Sequence, residues 1–214
     1  MAAATVLPGP ALSQGRPPLS RIAFGSCANQ AMGQPIWEAV LSYRPDLFLF
    51  CGDNVYGDFN SSEAGNLKEA YAAAGKIAGY SKLRDSVSHL AVWDDHDYGL
   101  NDGGAEFPHK AVSKELFLDF WNAPASDIRR QREGIYDSRI IGPPGMRVQV
   151  ILLDVRWFRS PLKPTDQRGA PGKERYLPDP DPAKTMLGAA QWAWLAEELR
   201  KPAELRLLVS STQV

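Results

Sequence analysis

A thiol, several carboxylates, an imidazole and a guanidinium each follow a short apolar run in this chain. Arg21 to Ser26 (RIAFGS) leads into Cys27. Asp46 to Cys51 (DLFLFC) leads through Gly52 to Asp53, and His89 to Trp93 (HLAVW) into Asp94-Asp95-His96. Met146 to Val155 (MRVQVILLDV) carries Asp154 and is followed by Arg156. In α/β sheets, ligands bind beyond the carboxyl ends of the strands, so four such strands would deliver these groups to one rim. Neighbouring carboxylates repel unless a positive charge sits between them, and a divalent or trivalent cation is the economical solution. The pattern therefore reads as a metal site. Taken singly, the same residues are ordinary. Cys27 alone is a small buried hydrophobe, Asp53 in Gly52-Asp53-Asn54 a turn former, and Tyr56 and Trp93 core residues. Asp94, Asp95 and His96 are harder to dismiss: directly after Ala91-Val92-Trp93 they must be loop-exposed or paired. His89 and His109 have no organised company and read as structural or solvent-facing.

The elements that must position these groups alternate. The apolar runs at 21–26, 46–51 and 89–93 suit buried parallel strands. Between them, Ile36 to Tyr43 reads as a short helix with Pro35 at its first turn. Glu63 to Tyr80 reads as an Ala-rich helix weakened at its end by Gly75 and Gly79. Lys110 to Trp121 is amphipathic, with Leu116, Phe117 and Phe120 on one side. The second half differs: Gly134 to Ile141 and Met146 to Val155, joined by Gly142-Pro143-Pro144-Gly145, read as a hairpin. Residues 159–184, rich in Pro, Gly and charge, read as a long surface loop of the kind that is often functional. Gln191 to Arg200 is helical in spacing and Leu205 to Ser211 is a further strand. The expected class is α/β.

The bulk numbers narrow the partners. The 214 residues, 44% hydrophobic and 23% charged, suffice for a substantial core. With 24 basic and 25 acidic residues the net charge is −1, which gives no electrostatic case for nucleic acid or an anionic membrane. No run approaches the roughly 20 apolar residues of a membrane span. Two cysteines, Cys27 and Cys51, are too few for a disulfide framework. Residues 1–19, small, apolar and broken by Pro, read as a signal remnant or loose terminus, with Ala11-Leu12-Ser13-Gln14 as a cleavage site.

Five segments together carry a family resemblance: RIAFGSCANQ (21–30), LFLFCGDNVYGD (47–58), VWDDHDYGLND (92–102), VQVILLDVRWFRSPL (148–162) and LGAAQWAWLAEELR (187–200). In this order, over nearly all of the chain beyond residue 20, they resemble the motifs of PhoD-like (alkaline phosphatase D type) metallophosphatases. The resemblance implies a calcineurin-like metallophosphoesterase sandwich, two mixed sheets flanked by helices. It implies hydrolysis of phosphate mono- or diesters, with a small phosphate ester as the partner. It further implies that Cys27, Asp53 and Tyr56 ligate a ferric ion, and that Asp53 with Asp94 and Asp95 holds calcium close by. Thiolate and phenolate donors suit trivalent iron, and carboxylate oxygens suit calcium. His96 is then placed to hydrogen-bond the phosphoryl group or protonate the leaving oxygen, and Arg156 to grip a phosphate oxygen in bidentate fashion. Asn101 is a further polar candidate for substrate binding.

The resemblance also implies a later Asp and His in a Gly-Asp-x-His segment. The sequence stops at Thr212-Gln213-Val214 without one, so residues 20–214 are expected to form an incomplete, C-terminally truncated domain. The competing reading is a catalytically inactive metal-binding fragment or regulatory module of the same fold. Export to the periplasm or cell exterior is expected, mainly on the family's account.

Overall fold

The computed structural model describes residues 17–212; most of the stretch read as a signal remnant lies outside the described residues. The first half is a parallel three-stranded sheet in the order β1-β2-β3, from β1 (Ile22–Gly25), β2 (Leu47–Cys51) and β3 (His89–Val92). β2 is central, with Gly25 opposite Phe50 and Cys51 opposite Val92. Its Leu47 to Phe50 are all buried, which is why the sequence reads as an unbroken apolar run and not an alternating one. The crossovers are α1 (Ile36–Tyr43) and the pair α2 (Gly65–Ala74) and α3 (Ala78–Ser86).

The second sheet has the order β4-β5-β6: β4 (Asp137–Ile141), β5 (Val148–Leu152) and β6 (Leu205–Val209). β4 and β5 form the expected antiparallel hairpin, closed by Met146 N–H to the Pro143 carbonyl at 3.0 Å. β6 runs parallel to β5, reached through helix α7 (Gly188–Arg200). Only this second sheet is mixed. The first is parallel throughout, which corrects the expectation of two mixed sheets: each of its connections contains a helix long enough to return the chain to the same edge.

One further reading is corrected. The single helix expected over 63–80 is two helices, broken at Gly75-Lys76-Ile77. Asp95–Tyr98, read as loop-exposed or paired, forms a one-turn helix, α4, following directly on Asp94. Helices α5 (Lys110–Phe120) and α6 (Ile128–Gln131) complete the fold. No helix among the described residues is long and apolar enough to cross a membrane.

One apolar core joins the two sheets, running from Trp37, Phe48 and Phe50 through Trp93 and Trp121 to Val150 and Leu152. Aromatic edges and faces fill it: Trp37 against Tyr80 at 5.2 Å, Phe50 against Trp121 at 4.6 Å, and Trp93 stacked on Trp157 at 6.4 Å between centroids. Trp93 is fully buried just past β3, and its Nε1–H donates to Asp154 beyond β5 at 2.9 Å. That bond brings the carboxyl ends of the two sheets to one side.

Candidate metal centre

The loops after β1 and β2 are laced together: Cys27 N–H donates to the Gly52 carbonyl at 3.1 Å, and Ala28 N–H to that of Asp53 at 2.8 Å. Cys27 (φ 60°) and Asp53 (φ 50°) both adopt the left-handed conformation, which costs a residue with a Cβ about 1 kcal/mol or more. The same left-handed turn begins at Gly52 (φ 103°), where a Cβ would meet those of Asp94 at 2.7 Å and Ser211 at 2.8 Å. Only glycine lets the three chain segments close this tightly.

Asp97, from α4, locks the next loop. It is fully buried and accepts from the Asp94 amide at 2.6 Å, the Asn54 amide at 3.2 Å and the Asn54 side chain at 2.6 Å. Asn54 Nδ2 also reaches the Val92 carbonyl at 2.8 Å. Gln30 holds Tyr56 from both sides, donating to its carbonyl at 2.8 Å and accepting from its amide at 2.9 Å.

What this scaffold presents is a cluster. Ligand-type atoms of Asp53, Asp95 and His96 all lie within 4.8 Å of one another. The Cys27 thiol is 3.8 Å from Asp53 Oδ2, and the Tyr56 ring lies against His96 with centroids 4.3 Å apart. Burial, the Asp53 charge and the adjacent Cys27 push the Tyr56 phenol above its ordinary pKa. His96 Nδ1 sits 2.9 Å from Asp58 Oδ2, a carboxylate–imidazole contact that orients the ring. Cys27, Asp53, Tyr56, Asp95 and His96 are thus brought together, with His96 joining the possible donors.

Asp94 and Arg156 border the cluster but are committed to each other. Arg156 Nε donates to Asp94 Oδ1 at 2.7 Å and its Nη2 contacts the same oxygen; Nη1 reaches the Gly103 carbonyl at 3.4 Å, and Asp95 Oδ1 lies 3.7 Å away. Ser211, just past β6, adds its hydroxyl to Asp94 Oδ1 at 2.8 Å. With the guanidinium buried and engaged, Arg156 orients Asp94 and does not present the open fork expected for phosphate. Asn101 is exposed, and its amide donates at 2.8 Å to Asp102, whose own backbone N–H binds Asp95. Asp154, grouped with the rim carboxylates in sequence, turns inward and accepts from Trp93 Nε1, Ile135 N, Arg156 N and Trp157 N, all at 2.9–3.0 Å.

The electrostatics suit a cation-binding site. Burial, with the neighbouring Asp94 and Asp95 carboxylates, pushes the Asp53 carboxyl up to about 6. At Asp95 burial acts in the same direction, but the Asp102 amide, Arg156 and His96 outweigh it and hold the carboxyl below its ordinary value. A buried carboxylate crowded by like charges and faced by a thiol, a phenol and an imidazole is the donor set of a metal site.

Gln30, Asn54, Asp58, Asp97 and Ser211 have no role in the sequence reading. The first four stand inside the motif segments that carry the resemblance, which is the one signal that pointed to them.

A family profile described as PhoD-like phosphatase matches residues 22–213, and the chain belongs to that family. A solved structure titled "Structure of PhoD" superposes with a TM-score of 0.63 at 19% identity, covering 94% of this chain and 42% of that one. The fold is thus shared, and the chain spans well under half the length of that protein. Among curated proteins, none matches the sequence.

Proposed function

We propose that this chain carries the metal centre of a phosphoric ester hydrolase that cleaves phosphate mono- or diesters, on a calcineurin-like sandwich. The observation that carries the reading is the convergence of Cys27, Asp53, Tyr56, Asp95 and His96 at the carboxyl ends of three parallel strands. Cys27, Asp53 and Tyr56 would hold ferric iron, and Asp53, Asp94 and Asp95 would hold calcium, by donor type. Metal bound there would polarise a phosphoryl oxygen and supply a nucleophile near neutral pH.

The protein's own groups do the rest. Asp53, between the two proposed sets of donors, has an oxygen for each. His96, with Nδ1 turned to Asp58, keeps Nε2 to hydrogen-bond the phosphoryl group or move a proton to the leaving oxygen. Arg156 and Ser211 fix Asp94 in one rotamer, which keeps the carboxylates spaced for a cation and not collapsed on each other.

The test is to load the protein with iron and calcium and follow a chromogenic phosphate mono- or diester at alkaline pH, with visible absorption as a second readout. Metal-dependent turnover, a phenolate–iron absorption band lost in Tyr56→Phe, and loss of both signals in Asp53→Ala are expected. Metal uptake without turnover would favour the inactive metal-binding module. No uptake at all would refute the reading.

A further inference from the structure

The long segment 159–184 is fastened to the cluster through Asp102. The Asp102 amide, in left-handed conformation (φ 56°), donates to Asp95 Oδ2 at 2.7 Å. Its carboxylate oxygen Oδ2 receives Arg175 Nη2 at 2.5 Å, Tyr176 OH at 2.9 Å, Asn101 Nδ2 at 2.8 Å and Arg168 Nη2 at 3.3 Å. The Arg168 and Arg175 guanidinium carbons lie 5.2 and 6.0 Å from the centre of the Tyr176 ring. Tyr176 is itself pinned by an antiparallel bridge to Pro164.

Two guanidiniums therefore share one carboxylate oxygen, leaving one positive charge unbalanced. Each carries five N–H donors and spends one on Asp102; their side chains are 50% and 55% exposed. Two other cations of the segment have carboxylate partners of their own, Lys173 with Asp166 at 3.0 Å and Lys184 with Asp179 at 3.1 Å, while Arg159 spends its Nη2 on the Asp102 backbone carbonyl. Among the described residues no other acidic side chain pairs with Arg168 or Arg175. The pair stands no more than about 10 Å from the Asp95 carboxylate, the reach of one residue and two hydrogen bonds. A second anion seated between the arginines would relieve their mutual repulsion and use their idle donors in the planar, two-pronged way that arginine favours.

We propose that Arg168 and Arg175, on the Tyr176 platform, form an anion clamp that selects substrates carrying a second phosphate or carboxylate beside the scissile ester. The proposal rests on the phosphoester reading of the cluster and names a substrate class for it. Calorimetry on the metal-loaded protein would compare methylphosphonate with α,ω-alkane diphosphonates and with ω-carboxyalkylphosphonates of matching length. At low salt the best dianionic probe should bind about tenfold more tightly than methylphosphonate, an advantage that fades as salt rises. The double variant Arg168→Gln/Arg175→Gln should lose that advantage and keep its methylphosphonate affinity. The double lysine variant, with charge but no fork, should retain part of it. Which dianionic series gains more decides between phosphate and carboxylate.

A second measurement does not need the metal: the arginine Nε–H signals of Arg168 and Arg175 should shift when inorganic phosphate is titrated into the metal-free protein. Equal affinity for mono- and dianionic probes in the wild type, or signals indifferent to phosphate, would overturn the clamp. A phosphate-induced shift of the Asp102 and Tyr176 backbone amide signals that is abolished in the double glutamine variant, in a protein that hydrolyses no ester, would uphold the clamp and defeat the hydrolase reading.

Discussion

Asp53 and Asp154 each stand two residues beyond the last residue of a central strand, β2 in one sheet and β5 in the other. Burial raises the pKa of both. Their surroundings are otherwise opposite. Asp154, fully buried, accepts from three backbone amides and an indole N–H. Asp53 accepts from one amide, that of His96 at 3.3 Å, and faces two other carboxylates. A strand-end carboxylate surrounded by protein donors is a joint of the architecture. The same group left short of donors beside like charges is built to take its positive partner from outside.

The largest expected effect divides the pair by stability. Asp154→Ala strands four buried donors, each costing about 1–3 kcal/mol before relaxation. The metal-free protein should lose about 4 kcal/mol in a urea titration. Asp53→Ala, which removes repulsion along with one long amide hydrogen bond and the weak Cys27 thiol contact, should shift stability by no more than about 1 kcal/mol, with stabilisation as an allowed sign. Equal losses at the two positions would erase the distinction.

The second prediction sharpens the comparison where the two sheets meet. Arg156 follows Asp154 in the second sheet yet spends its guanidinium on Asp94 of the first. Arg156→Lys keeps the charge but cannot bridge Asp94 and the Gly103 carbonyl together, so about 1–2 kcal/mol should be lost. Arg156→Met, which leaves the half-buried Asp94 with only the Ser211 hydroxyl, should cost about 2–4 kcal/mol in the metal-free protein. Added calcium should recover more of the loss in the methionine variant than in the lysine variant, because the ion substitutes for the missing charge. Thermal unfolding with and without calcium reads this directly, and a loss in the methionine variant that calcium does not touch would place Arg156 outside the site.

These contrasts also mark where the sequence stops being legible. The strand ends and the chemistry collected at them could be read, because an unbroken apolar run closed by glycine or a polar residue is a local signal. Asp53 and Asp154 could not be told apart. The indole that satisfies Asp154 comes from Trp93, 61 residues away in the chain, and no local pattern announces it. Arg156 was placed in the right neighbourhood with the wrong partner for the same reason. The break between α2 and α3 was half visible in Gly75 and Gly79. What the glycine at 79 serves is tertiary: a Cβ there would approach Trp37 Cβ to 2.6 Å, so only glycine lets α3 pack this closely on α1. Helix α4 is a single turn, too short for periodicity to reveal.

The smallest effect comes from the far end of the same two strands, and it separates the two ingredients of the comparison, donors and burial. Arg147 and Glu204 immediately precede β5 and β6, at the end of the sheet opposite Asp154. Glu204 is nearly as well supplied as Asp154: Oε2 takes the Arg147 amide at 2.5 Å and its Nε at 3.1 Å, and Oε1 takes Nη2 at 2.6 Å. It is solvent-exposed, and those bonds lower its pKa from 4.5 to about 2. A carboxyl whose pKa is depressed by folding contributes stability above its unfolded pKa, and the contribution is lost as pH falls through the folded value. The effect of Glu204→Gln should therefore be confined to the acid limb: the wild type's advantage over the variant should shrink between about pH 4.5 and pH 2 and be flat from pH 6 to 8. Solvent and salt screen such a pair, so the difference should be small and fade further at high ionic strength. Urea titrations of the two proteins across that range would test it. A loss at neutral pH as large as that of Asp154→Ala would mean that hydrogen-bond donors alone, without burial, make a carboxylate a joint of the fold.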